Sequence, residues 1–209
     1  MSKGVLAVVS GFSGAGKGTV MKRLMESHDN YALSVSVTTR EPREGEADGR
    51  EYFFRTNEEV EEMIRRDQLL EHAKYVDHYY GTPRKYVEDM LAEGKDVILE
   101  IEIQGALQIK DKLPEAVLVF ITPPSMEELK KRLIGRGSEE PEVIASRLSR
   151  ASEEAEGIEK YDYILVNDRI DDCAETLHRI ISSEHLRTQR NIEFINRIQE
   201  ESHIFKKGE

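Results

Sequence analysis

The stretch SGFSGAGKGTV, residues 10–20, sets glycines, a lysine and hydroxyl side chains at the spacing of an anion cradle. Gly11, Gly16 and Lys17 fit the pattern G-x-x-x-x-G-K. Glycines let successive backbone N–H groups converge on one anion, and a helix that follows adds partial positive charge at its N-terminus. A lysine at that point can follow phosphoryl oxygens as charge moves between them. The residue after Lys17 is Gly18, where a strict version of the motif has the Ser or Thr that touches a metal ion; here the hydroxyl arrives one place late, at Thr19. Such a loop points to a nucleoside triphosphate and to phosphoryl chemistry.

The basic residues are bunched as well. Arg40, Arg43 and Arg50 fall in one segment, and Lys130, Lys131, Arg132, Arg136, Arg147 and Arg150 in another. The whole chain nonetheless carries a net charge of −11, from 41 acids against 30 bases. That balance disfavours general binding to nucleic acid or to an anionic membrane, both of which want a basic face. Local basic clusters on an acidic protein suit small polyanions such as nucleotides. Cys173 is the only cysteine, so neither an intramolecular disulfide nor a thiolate metal cluster is expected. No apolar run approaches the roughly 18 residues that span a bilayer, and the expected location is the cytoplasm.

Elements must place these residues. GVLAVVS (4–10) is a continuous apolar run of the kind that forms a fully buried parallel strand, and GTVMKRLMESH has helical spacing. Strand, glycine loop and helix form the context that a phosphate loop requires. Further strands are predicted at 33–37, in EYFF, in LLEHAKYV, and at 96–103, 116–122 and 161–167. Helices are predicted in NEEVEEMIRRD, in RKYVEDMLAEG with Gly94 as a left-handed cap, from a Ser125/Glu128 capping box to about Arg136, after the glycine hinge at 137, and over most of 171–200. Alternating strands and helices imply a three-layer α/β fold around a parallel sheet. Two stretches, about 36–85 and about 130–151, interrupt the alternation and have the character of inserted subdomains that close over a site.

The segments SGFSGAGKGT, SVSVTTREPREGEADGREYFF, GTPRKYV, ILEIEIQGA, FITPPSMEELKKRLIGRG and ILVND follow, in order, the pattern of guanylate kinases, and the sequence resembles that family from about residue 4 to 184. The resemblance implies a P-loop NTPase core with an inserted GMP-binding subdomain and a lid, and a C-terminal helical tail over 185–209. It implies phosphoryl transfer from ATP to GMP or dGMP with Mg2+. Position by position, it implies that Gly11, Phe12, Ser13, Gly14, Ala15, Gly16, Lys17, Gly18 and Thr19 hold the ATP phosphates, with Asn167 and Asp168 beside the adenine. Arg40, Arg43, Tyr52 and Tyr80 are implied to hold the GMP phosphate, and Ser36, Glu71, Thr82, Glu102 and Glu100 to line the rest of the GMP site. Lys17, Arg40 and the lid arginines Arg132, Arg136 and Arg147 are implied to carry the transfer. Glu100 stands where it can hold magnesium through water. A lysine-glycine-threonine order recurs among nucleoside monophosphate kinases, so Gly18 departs from the strict motif but not from this group. A GTPase switch is disfavoured, because its Asn-Lys-x-Asp motif needs an Asn-Lys pair that the sequence lacks. A monomer and a homodimer both remain open.

Overall fold

The computed structural model describes residues 3–75, 77–135 and 141–206. A five-stranded parallel sheet forms its centre. Its strands are β1 (Leu6–Gly11), β2 (Tyr31–Leu33), β7 (Asp96–Glu100), β8 (Val117–Thr122) and β9 (Tyr163–Val166), in spatial order β2-β7-β1-β8-β9. β1 lies in the middle because it is apolar on both faces. Val5, Ala7 and Val9 pack on one side against α1 (Lys17–Ser27), α5 (Met126–Gly135) and α7 (Ile170–Glu184) through Val20, Leu24, Leu129, Leu133 and Leu177. Leu6 and Val8 pack on the other side against α3 (Arg84–Ala92) and α4 (Ile103–Lys112) through Val87, Leu91, Ala106 and Ile109. This is the three-layer α/β arrangement expected from the sequence.

A second sheet stands apart, in the order β4-β3-β6-β5, built from β3 (Val37–Thr38), β4 (Phe53–Phe54), β5 (Leu69–Tyr75) and β6 (His78–Pro83). It has its own small core of Val37, Val60 and Leu69, closed by α2 (Asn57–Arg65). Thr56 and Glu59 cap that helix reciprocally. Past β8, α5 is followed by α6 (Pro141–Ala155), and α8 (Ile192–Lys206) ends the described chain.

Two predicted strands are corrected. The run at 33–37 is not one strand: β2 stops at Leu33 in the large sheet and β3 starts at Val37 in the small one. Alternation of apolar and polar residues fits a strand on either side of 34–36, and nothing in that pattern marks a change of partner sheet. The run at 96–103 ends at Glu100. Beyond it the Ile101 carbonyl accepts from the Ser10 hydroxyl at 2.7 Å instead of joining the ladder, and Glu102 becomes the residue preceding α4. α4 and β6 had no sequence assignment of their own.

Candidate active site

The loop 11–16 joins β1 to α1 at the C-terminal edge of the parallel sheet, where strand order reverses around β1. Its form depends on glycine. Gly14 and Gly16 have φ of +93° and +89°, and a Cβ on Gly11 would lie 2.1 Å from the Ile121 carbonyl oxygen. Phe12 and Ala15 are buried. Phe12 stands edge-on to Phe120 with centroids 5.0 Å apart, so its side chain anchors the loop in the core. Lys17 reaches back along the loop and donates from Nζ to the carbonyls of Gly11 at 2.7 Å and Phe12 at 3.3 Å. Gly18 and Thr19 are exposed at the helix start.

Glu100 ends β7 beside this loop: a Cβ on Gly18 would lie 3.8 Å from its Oε2. Its carboxylate opens onto the cleft, yet the crowding of protein around the cleft raises its pKa, with Lys17 pulling the other way. A cavity of about 640 Å³ runs from Gly11, Ser13 and Lys17 past Ser36, Tyr52, Glu100 and Glu102 to Arg147 and Arg150. A second, of about 260 Å³, continues it to Glu71 and Tyr80. The two share Ser36, Tyr52, Glu100 and Glu102, so the phosphate loop and the small sheet open onto one cleft.

Glu71 owes its place to a bulge. Leu69 pairs with Pro83 and His72 with Gly81, which leaves Leu70 and Glu71 both opposite Thr82. The extra residue turns Glu71 inward to 5% exposure, where Oε1 accepts from the Thr82 hydroxyl at 2.7 Å. Two glycines make the room: a Cβ on Gly81 would meet the Glu71 carbonyl at 2.9 Å, and one on Gly105 would meet Oε2 at 2.8 Å. Burial raises the Glu71 pKa, opposed by the Thr82 hydrogen bond and by Lys112. Thr82 is fully buried, so its hydroxyl orients Glu71 rather than opening onto the cleft.

Tyr52 and Tyr80 also line the cleft, where Tyr52 meets Tyr80 edge-on at 5.9 Å, and Arg40, which lines neither cavity, lies over the Tyr52 ring at 5.5 Å. The Arg40 guanidinium is held by both oxygens of Glu46 at 2.9 Å. Arg43 contributes its backbone N–H to the same carboxylate, and this bond, with Arg40 beside it, lowers the Glu46 pKa. Sequence reading passed over Glu46, although an acid six residues after Arg40 in the same loop was a visible signal.

The lid arginines split. Arg147 donates to the Ser13 hydroxyl at 2.7 Å, directly at the phosphate loop. Arg132 pairs with Glu128 at 3.0 Å and donates to the Asn167 carbonyl at 3.0 Å. Arg136 lies outside the described residues. Arg150, read from sequence only as part of a basic cluster, pairs with Glu102 across the cleft and with Glu154 on its own helix at 3.2 Å. Asp168 is exposed, and neither it nor Asn167 lines the cleft; the Asn167 side chain is buried against the loop.

The family model for guanylate kinase matches residues 3–184. The guanylate kinase of Lactococcus lactis is 56% identical over 191 residues, covering 91% of this chain and 93% of that protein. That of Caldanaerobacter subterraneus is 50% identical over 200 residues, covering 96% and 97%. The crystal structure of guanylate kinase from Anaplasma phagocytophilum superposes with a TM-score of 0.73 at 36% identity, covering 90% of each chain. The P-loop, the doubly covered parallel sheet and the match over most of the chain agree: it belongs to the guanylate kinase family.

Proposed function

We propose that this chain transfers the γ-phosphoryl group of ATP to GMP, or to dGMP, giving ADP and the nucleoside diphosphate. One observation carries the reading: a phosphate loop and a buried, inward-turned carboxylate open onto a single cleft. The loop's converging N–H groups and Lys17 suit the donor phosphates. Glu71 suits guanine, whose N1–H and N2 amine are adjacent donors for two carboxylate oxygens. Ser36 and Glu102 line the path between them. Arg40, Arg43, Tyr52 and Tyr80 suit the GMP phosphate, with arginine forks matched to its oxygens.

In the reaction, a GMP phosphate oxygen forms a bond to the γ-phosphorus as the bond from that phosphorus to the β–γ bridging oxygen breaks, and ADP leaves. No strong base is required. Lys17 and the lid residues Arg132, Arg136 and Arg147 supply positive charge as it spreads over the transferring group, and the cleft supplies alignment. Among the described residues, no group of three or more His, Cys, Asp or Glu side chains gathers to hold a metal ion. Glu100 opens onto the cleft beside Gly18, which fits a magnesium ion bound mainly by phosphates and water with Glu100 holding its waters. When bound, that ion supplies charge neutralisation on the phosphates. A coupled assay of ADP release tests the proposal. We expect rapid release with GMP and release at least about 100-fold slower with AMP; absence of GMP-dependent release would overturn it.

A further inference from the structure

Asn167 follows the last strand of the large sheet, and its side chain is 2% exposed. Its Nδ2 donates to the Ala15 carbonyl at 2.8 Å, inside the phosphate loop and two residues before Lys17. The approach is close enough to constrain the sequence: a Cβ on Gly16 would lie 2.6 Å from Nδ2. Gly16 stands at the N-cap of α1 with no side-chain cap, so the peptide that precedes the helix is fixed from outside the loop. The Asn167 backbone is itself held from two sides. Its N–H donates to the Thr122 carbonyl at 2.7 Å, and its carbonyl accepts from Arg132.

The geometry points to Asn167 as a positioning residue that sets the Ala15–Gly16 peptide, and with it the loop's affinity for the donor's phosphates. This rests on the proposed use of the loop for ATP. The argument is one of hydrogen-bond accounting. Ala15 is wholly buried, so its carbonyl has no access to water, and removing the amide leaves an orphaned acceptor that the loop can satisfy only by rotating that peptide. Rotation turns the Gly16 N–H away from the point on which the loop's donors converge. The side chain therefore acts through the backbone of another segment and touches no substrate.

Tripolyphosphate, which has phosphates but no base, is the probe that separates this role from a contact to adenine. Calorimetric titrations would compare tripolyphosphate, ADP and GMP on the wild type, Asn167→Ala and Asn167→Asp. We expect both variants to lose about tenfold or more for tripolyphosphate and ADP at about pH 8, with GMP affinity unchanged. In Asn167→Asp the loss should shrink as pH falls toward about 6, because a protonated carboxyl regains a donor for the Ala15 carbonyl; Asn167→Ala should show no such recovery. Unchanged tripolyphosphate affinity in a variant that binds GMP normally would overturn the proposal, as would a loss confined to ADP. If Asn167→Ala does not fold, the pH dependence of Asn167→Asp decides alone. A wild type that binds neither tripolyphosphate nor ADP would overturn the reading of the loop itself, a result distinct from either.

Discussion

The two ends of the cleft are built from different materials. On the proposed donor side the groups assigned to recognition belong to the backbone of one continuous loop, held by glycine geometry and by Phe12 and Ala15 sunk into the large core. On the proposed acceptor side they are side chains from several segments, and they satisfy one another: Arg40 with Glu46, Thr82 with Glu71, Glu102 with Arg150. A backbone site is preorganised, and a ligand there displaces water and the few contacts that Lys17 and Arg147 make to the loop. A side-chain site of paired charges exchanges internal partners for those of the ligand, so its affinity is a difference between two sets of hydrogen bonds.

The largest effect should come from breaking the donor side alone. Lys17→Ala removes a mobile charge from a rigid frame, and we expect kcat to fall by about 100- to 1000-fold or more. Calorimetry should find GMP affinity nearly unchanged, since Lys17 reaches the loop carbonyls and not the small sheet. A folded variant that loses GMP binding along with transfer would show that the two ends are not separable. On the acceptor side, Glu71→Gln keeps the shape but turns one acceptor into a donor. We expect kcat/KM for GMP to fall by about tenfold or more, and the ratio of GMP to AMP activity to narrow. An unaltered preference would move guanine recognition from Glu71 to Glu102.

The same contrast decides what could be read from sequence. The loop was legible because its chemistry is local: Gly11, Gly16 and Lys17 keep fixed spacing, and the apolar run before them declares a buried strand. Glu71 was legible only through the family pattern. Its inward turn depends on a bulge opposite Thr82 and on space left by Gly81 and Gly105, none of which a period-2 pattern reveals. The split of 33–37 between two sheets failed for the same reason, since alternation specifies a strand but not its partner. Arg150 was indistinguishable from its neighbours in a basic cluster until α6 placed it across from Glu102. Asn167 was placed beside the adenine by the family pattern alone, and that pattern gave no sign that its amide turns into the loop to meet the Ala15 carbonyl.

A subtler test of the acceptor side is the pair between Glu102 and Arg150. A ligand that uses Glu102 competes with Arg150, and both side chains are partly exposed, at 63% and 34%. Screened pairs of this kind are worth up to about 1 kcal/mol. Arg150→Gln should therefore tighten GMP binding, measured without ATP, by about two- to fivefold. Weaker binding would mean that Arg150 contacts the ligand itself, and the pair would be a second recognition element instead of a competitor.

The smallest effect is on stability, and it asks whether the acceptor carboxylate is held at a cost. Glu71 is buried, and burial raises its folded pKa above the reference value of 4.5. The folded state thus favours the protonated carboxyl: that contribution is complete below the unfolded pKa and is lost as pH rises through the folded one. Ionising Glu71 leaves a carboxylate in a desolvated place, relieved only in part by Thr82 and Lys112. Glu71→Gln removes the charge and keeps a group that accepts from the Thr82 hydroxyl. Its Tm should come closest to the wild type at about pH 3, below the unfolded pKa, and exceed it by a few degrees at about pH 7. Glu100 and Glu154, whose pKa values are also raised by burial, are present in both proteins and cancel in the difference. A gap that stays constant across that range, or closes as pH rises, would mean that the carboxylate is as well satisfied as the loop's backbone groups. The contrast between the two ends of the cleft would then lie in how they are assembled and not in the electrostatic strain they hold.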